Sequence, residues 1–411
     1  MPKKSVAVTD AAVPVVKLSP RGAARLKAGH PWVYRSDTAG ADGVPPGALV
    51  RVADLHGKFL GTALYSSSSQ IAIRMISREP VADLPALISE RIRVALAYRR
   101  ELVTDSDAYR LVFSEADFLP GLIVDRYNDV LSLQILTQAM DAEAVRGAIL
   151  ETLVGELQPA GILERVDPRI RELEQLPPRQ SGLLWGEKNS TIVSMNGIRA
   201  ERTPSSAGVR FHYEGLQGQK TGAFLDQREN YAAAARYARG EALDVFCYQG
   251  GFALHLAANC SNVTGVDSSR PALEMADKNA ALNGREIEWI EGHAFDLLKD
   301  YASAGRQYDT IVVDPPAFAK TKRDLDKALR GYKELNLRAM KMLRPGGVLV
   351  TCSCSFRVGS AEFLEVVADA ARDAHRSMRL VETRGQAKDH PILLNVPETS
   401  YLKCLILSVS H

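Results

Sequence analysis

The sequence predicts an α/β protein: a doubly wound parallel sheet in the C-terminal half, preceded by a small β-rich domain and an α+β central domain. Three observations lead there. From about Ala242, apolar runs of strand length alternate with helical repeats, the pattern of strands buried on both faces and joined by crossover helices. Residues 14–78 instead carry short period-two runs punctuated by Gly and Pro, which reads as a compact β domain. Finally, 411 residues are too many for one comfortable core, so two or three domains are expected.

In chain order, the first domain (14–80) supplies VPVVKLS, GHPWVYRSD, PPGALVRVAD, KFLGTALYSS and QIAIRMIS as strands, with Arg21, Arg25 and Lys27 on the helix-like turn SPRGAARLKAG. Cations beside Trp32 suit a nucleic acid, although a Trp in a small barrel is more often core. The central domain (81–200) opens with an amphipathic helix over Leu84 to Thr104. LIVDRY, DVLSLQIL and GILERVD follow as strands, with DAEAVRGAILETLVGEL as a helix. The last domain (201–411) runs through the strands ALDVFCY, NVTGVD, IEWIEG, YDTIVVD and GVLVTCS, with helices between them. MRLVET and YLKCLILSV close it as a hairpin at the sheet edge.

Composition excludes several classes. Apolar content of 46% and charged content of 24% are ordinary for a soluble globular chain. No apolar run approaches the ~18–20 residues of a membrane helix, and MPKKSVAVTDAAVPVV lacks a compact apolar stretch with a cleavage site. A cytoplasmic location without membrane contact is expected. Five scattered cysteines suit a reducing compartment better than a disulfide framework. No His pairs with Cys at zinc spacing, so no metal site is expected. The net charge of +2 is unevenly spread: residues 1–80 hold 11 Lys/Arg against 5 Asp/Glu, which leaves −4 for the remainder. A basic front end reads as a nucleic-acid contact surface, or as a solvated face that keeps a small domain soluble.

In a doubly wound sheet, ligands bind beyond the carboxyl ends of the strands, where strand order reverses. The first strand-to-helix turn is DVFCYQGGF, with Asp244, Gly250 and Gly251. Adjacent glycines admit close backbone approach to a ligand. The turn is neither the GxGxxG of nicotinamide dinucleotide sites nor a P-loop. Asp267 ends the second strand, where a carboxylate accepts bonds from ribose hydroxyls or caps the next helix. Asp314 opens DPPAF. Its two prolines fix the backbone after the strand and hold the carboxylate at the sheet tip.

The order DVFCYQGGF, GVDSS, DPPAF and RPGG resembles class I S-adenosylmethionine (SAM) methyltransferases. KTGAFLDQREN, GYKELN, the SCS within VLVTCSCSF and KDHPILLNVPETSYLK narrow the resemblance to the RlmI-type family, bacterial 5-methylcytosine methyltransferases of 23S ribosomal RNA. GHPWVYRSD is similar to that family's PUA domain and EADFLPGLIVDRY to its central segment, so the resemblance covers nearly the whole chain. It implies SAM as cofactor, large-subunit ribosomal RNA as partner, and a homodimer. It also implies that Lys220, Thr221, Gly222, Phe224, Asp226, Gln227 and Arg228 line the methionine side of the SAM site. Asp244, Gly250 and Gly251 would form the turn beneath it, Asp267 would hold the ribose and Asp314 would close the site. Where the family usually carries an Asp near the adenine, this chain has His293, which accepts a bond at one ring nitrogen when neutral.

Carbon 5 of cytosine is a poor nucleophile until a thiolate adds to carbon 6, which splits one hard step into easier ones. The thiolate must sit at a strand tip, open to an extruded base. Cys352 and Cys354 share one face of an extended strand. The family's SCS pattern aligns Cys354 with the nucleophile, whereas the TCS pattern of a different family of RNA cytosine methyltransferases would select Cys352. Cys354 is the choice, because it lies nearer the sheet's end. Asp314 would bond the exocyclic amino group or carry a proton to the adjacent ring nitrogen. The alternatives are methylation of a base nitrogen, disfavoured by Ala317 where an aromatic would stack, and a noncatalytic RNA-binding assembly factor on the same fold.

Overall fold

The computed structural model describes residues 13–197, 208–216, 222–319 and 322–410. A six-stranded sheet comes first, in the order Trp32–Tyr34, Ile71–Ser77, Phe59–Tyr65, Leu49–Asp54, Val15–Leu18, Thr38–Ala39. Its period-two pattern buries Val16, Leu18, Val50, Val52 and Ile73 completely, as alternate side chains of a pleated strand must be when one face is core. SPRGAARLK forms the helix Pro20–Lys27, started by Ser19, whose side chain accepts from the Gly22 N–H. Trp32 is half-buried rather than a core residue of this sheet. Its indole N–H donates to Glu115 of the central segment at 3.0 Å.

The second sheet has five strands in the order Gly182–Gly186, Gly161–Glu164, Val130–Ile135, Leu122–Tyr127, Ala108–Phe113. Helix Leu84–Leu102 ends two residues before the expected Thr104 and packs with Glu143–Leu157 through Ile88, Ile92, Ile149 and Leu153. A separate hairpin pairs Ser190–Met195 with Val209–Glu214. Its two strands fall on either side of position 201, where the sequence suggested the last domain begins, and it stacks Tyr213 on Tyr127 with ring centroids 3.7 Å apart.

The third sheet consists of β1 (Gly240–Val245), β2 (Cys260–Asp267), β3 (Glu288–Glu291), β4 (Tyr308–Val313), β5 (Leu343–Ser353), β6 (Met378–Arg384) and β7 (Lys403–Val409). Its order is β3-β2-β1-β4-β5-β7-β6. The first five strands are parallel, while β7 runs antiparallel to β5 and to β6. The expected terminal hairpin is present, with β7 against β5 and β6 at the edge. The helices are α1 (Arg228–Tyr237), α2 (Gly251–Leu256), α3 (Arg270–Leu282), α4 (Ala294–Ser303), α5 (Leu325–Lys341) and α6 (Ser360–Asp373). Leu243, Val313 and Leu349 of the sheet join Tyr332 of α5 and Phe363 of α6 in one core. Val312, Val350 and Cys352 join Ala233 of α1 and Phe252 of α2 in another. Both faces are therefore covered, as the continuous apolar runs required. Strand order reverses between the parallel neighbours β1 and β4, which opens a crevice at their carboxyl ends.

Candidate active site

A cavity of about 540 Å³ occupies that crevice, roofed by the hairpin and by Tyr127 of the central sheet. The turn after β1 forms its floor under unusual backbone constraint. Phe246, Tyr248 and Gly250 all have positive φ, at 67°, 50° and 85°. Two non-glycine residues in the left-handed region cost free energy that surrounding contacts must offset, and such strain clusters at ligand sites. One such contact is the Asp267 carboxylate at the end of β2, which accepts from the N–H of Tyr248 and of Ser269, each at 2.9 Å. Each oxygen retains lone-pair capacity toward the cavity. Ser269, not Asp267, caps α3. Gly251 enters α2 so close to Tyr231 that an added Cβ would stand 2.5 Å from the ring.

Beneath the turn, Asp244 is fully buried. One oxygen accepts from the Ala253 N–H at 2.9 Å, and the other has no hydrogen-bond partner among the described residues. Burial pushes this carboxyl up to about 8, with Asp314 and Asp267 adding to the effect. Asp226 and Asp314 both line the cavity; Asp226 accepts from the Tyr401 hydroxyl at 2.7 Å, and Asp314 from the Gln227 amide at 3.0 Å. The carboxyl groups of Asp226, Asp267 and Asp314 on one cavity wall make a field that favours a cationic ligand.

The two cysteines part company. β5 ends at Ser353, so Cys354 leaves the strand at its tip and lines the cavity. Cys352 is fully buried and registered against Cys404 of β7. Burial drives its thiol well up, and Cys404 pushes it further. Ser355 ties the cysteine turn to the DPPAF turn. Its hydroxyl oxygen accepts from the N–H of Phe318 and Ala319 at 3.0 and 3.2 Å, and lies 2.9 Å from the Tyr332 hydroxyl.

Of the residues marked in the sequence, Gly222, Phe224, Asp226, Gln227, Gly251, Asp267, His293, Asp314 and Cys354 come together around this cavity. His293 faces it with its Nδ1 3.0 Å from Asp296. Asp244 and Gly250 lie behind the wall. Lys220 and Thr221 lie outside the described residues. Arg228 is not in the wall. It is buried behind it, donating to Asp105 at 2.8 Å and to Asp389 at 3.3 Å, because a guanidinium that enters a core goes where carboxylates meet it. Phe318 lines the cavity and also packs against the core behind it. Tyr127, Tyr213 and Lys403 carried no sequence signal, since their neighbours come from distant segments.

The residues fit SAM, a sulfonium whose ammonium adds a second positive charge. Asp267 would hold the ribose, the Gly250–Gly251 turn would pass beneath, and the acids would balance the sulfonium.

Comparison with known proteins agrees. The PUA-like domain family matches residues 16–78, and the S-adenosylmethionine-dependent methyltransferase family matches residues 198–407. Ribosomal RNA large subunit methyltransferase I of Shewanella denitrificans is 40% identical over 405 residues, covering 96% of this chain and 99% of the relative. That of Photobacterium profundum is 37% identical, covering 92% and 95%. Among solved structures, SMU.776, a methyltransferase complexed with SAH, superposes with a TM-score of 0.81 at 18% identity, covering 97% of this chain and all of the other. A SAM-dependent methyltransferase from Streptococcus mutans gives 0.79 at 17% identity, with the same coverage. The chain therefore belongs to the ribosomal RNA large subunit methyltransferase I family, with a PUA-like domain ahead of a SAM-dependent methyltransferase domain of Rossmann-like fold.

Proposed function

We propose that this protein forms 5-methylcytosine in 23S ribosomal RNA in the cytoplasm through a covalent bond between Cys354 and the base. The observation that carries this reading is the placement of Cys354, which shares one cavity with Asp314, Asp267 and Gly251, while Cys352 is sealed beneath it. The names of the relatives support the ribosomal RNA substrate. The basic first domain (14–80) supports RNA contact there, with 81–200 as a connecting domain and 201–411 as the catalytic one.

SAM, when bound, supplies an electrophilic methyl group. The rest falls to the chain. Cys354 sulfur forms a bond to carbon 6, the ring electrons shift toward carbon 5, and a proton reaches the ring nitrogen from Asp314. Carbon 5 then takes the methyl group. Loss of the carbon 5 proton to water forms the carbon 5–carbon 6 double bond and returns the carbon–sulfur electron pair to sulfur, and the ring nitrogen gives its proton back to Asp314, which restores the aromatic ring. Gln227 keeps Asp314 aimed at the cavity through the bond described above.

Methylation of unmodified ribosomal RNA by wild type, Cys354→Ala and Cys352→Ala tests the reading, with the product nucleoside identified by mass. Cys354→Ala is expected to lose about 10³-fold or more in rate with SAM affinity unchanged, and the wild-type product to be 5-methylcytosine. An N-methylated product, or activity that survives in Cys354→Ala and dies in Cys352→Ala, would sink it.

A further inference from the structure

Lys403 opens β7 opposite Ser353, the last residue of β5. Its ammonium donates to the Ser355 carbonyl at 2.7 Å and to the Tyr401 carbonyl at 2.9 Å. Ser355 directly follows Cys354, and Leu402, next to Lys403, lines the cavity with it. An ammonium has three N–H donors, and two carbonyls occupy two of them. The side chain is buried, at 7% residue exposure. Among the described residues no carboxylate pairs with it within 4.0 Å. A buried cation without a counter-ion is costly, and the groups whose negative charge would favour its protonated form are Cys354 first and Glu362 second.

We propose that Lys403 is a positioning residue that holds Cys354 as its thiolate, anchoring the cysteine turn through the Ser355 carbonyl and balancing the charge on sulfur. The proposal rests on the reading that Cys354 is the nucleophile. The S–H bond breaks, the proton passes to water in the cavity, and the electron pair stays on sulfur beside the ammonium. That pair forms the bond to carbon 6 and returns to sulfur when the adduct collapses, so the same cation stabilises attack and departure. Burial lowers the Lys403 ammonium to about 8, and the Cys354 charge opposes that shift.

The other groups around this sulfur do not substitute for it. Asp314, from the end of β4, is acidic. Tyr332, from α5, is held neutral as burial raises its hydroxyl. Glu362 is spent accepting from the Gly359 N–H at the start of α6. Cys352 and Cys404 are buried thiols. Arg357 is exposed and lies over the Phe356 ring.

The test is the pH profile of Cys354 alkylation by iodoacetamide, read by peptide mass on the full-length protein without RNA. Wild type is expected to react with a midpoint below the value of about 8.5 for a free thiol. Lys403→Gln should raise that midpoint by about one pH unit or more and cut methyl transfer at pH 7 about tenfold, with SAM affinity kept. Lys403→Arg should restore the low midpoint. A wild-type midpoint at or above the free-thiol value overturns the proposal whether or not any variant folds, and so does an unchanged midpoint in a folded Lys403→Gln. Failure of the nucleophile reading itself looks different: wild type gives no adduct on RNA containing 5-fluorocytosine, whatever the alkylation profile.

Discussion

Asp244 is a carboxyl group held neutral under a site built for a cation. Its raised value near 8 comes first from burial and then from the neighbouring acids. The folded state keeps a proton that the unfolded chain, titrating near 3.8, has lost. This group's stabilising share is complete below the unfolded value and is lost as pH rises to about 8, at no more than about 1.4 kcal/mol per pH unit. Asp244→Asn keeps the shape and removes the titration. Denaturant unfolding at pH 5, 6, 7 and 8 should therefore show wild type losing stability relative to Asp244→Asn as pH climbs. Parallel curves would mean the carboxyl is ionised in the folded protein. The chemistry of Asp244 was legible in the sequence only as part of the turn. Its neutrality was not, because its burial, the main cause, and the approach of Asp314 and Asp267 are set by elements from elsewhere in the chain.

At the scale of the element, the decisive unit is the turn from β1 into α2. Its two glycines were legible in DVFCYQGGF, but the sequence offered no sign of the left-handed Phe246 and Tyr248, since either residue normally avoids that region. The end of β5 teaches the same lesson. Alternation put Cys352 and Cys354 on one face, which is right for a strand that continues; this one stops at Ser353. Which cysteine is sealed depends on Cys404, a partner fixed by the register of β7 rather than by local pattern. Gly251 offers a test of the turn. A methyl group there meets the Tyr231 ring, itself packed edge-on to Phe252 with centroids 4.7 Å apart, so the start of α2 must shift. Gly251→Ala is expected to cost about 1–3 kcal/mol in denaturant unfolding and to weaken SAM binding in calorimetry. Tyr231→Leu in the same chain should recover part of that binding. An unperturbed Gly251→Ala would show that the turn has slack.

At the scale of the whole molecule, the alternation of strands and helices announced the sheet, but the joint between the sheet and the central domain was hidden in pairs far apart in sequence. Arg228 is the clearest case. The family resemblance carried by KTGAFLDQREN put it beside SAM, whereas the folded chain buries it against Asp105 and Asp389. Asp389 accepts from the Arg110 N–H at 2.8 Å, and its carbonyl accepts from Arg99 at 3.0 Å. Burial alone would raise the Asp389 carboxyl, yet His390 and Arg228 hold it well below the usual range. A cation at the centre of such a joint is strongly destabilising to remove, because the carboxylate left behind is buried and charged. Arg228→Met should therefore cost about 3–5 kcal/mol, and the loss should grow where Asp389 is ionised and shrink as acid protonates it. Hydrogen–deuterium exchange can localise the effect. Faster exchange is expected in residues 386–400 and around Arg99 and Arg110, with the first sheet unchanged. Because that segment runs directly into Tyr401 and Lys403, methyl transfer should fall more than SAM affinity does. If exchange rises only next to position 228, or if activity is untouched, the joint does not position the active site.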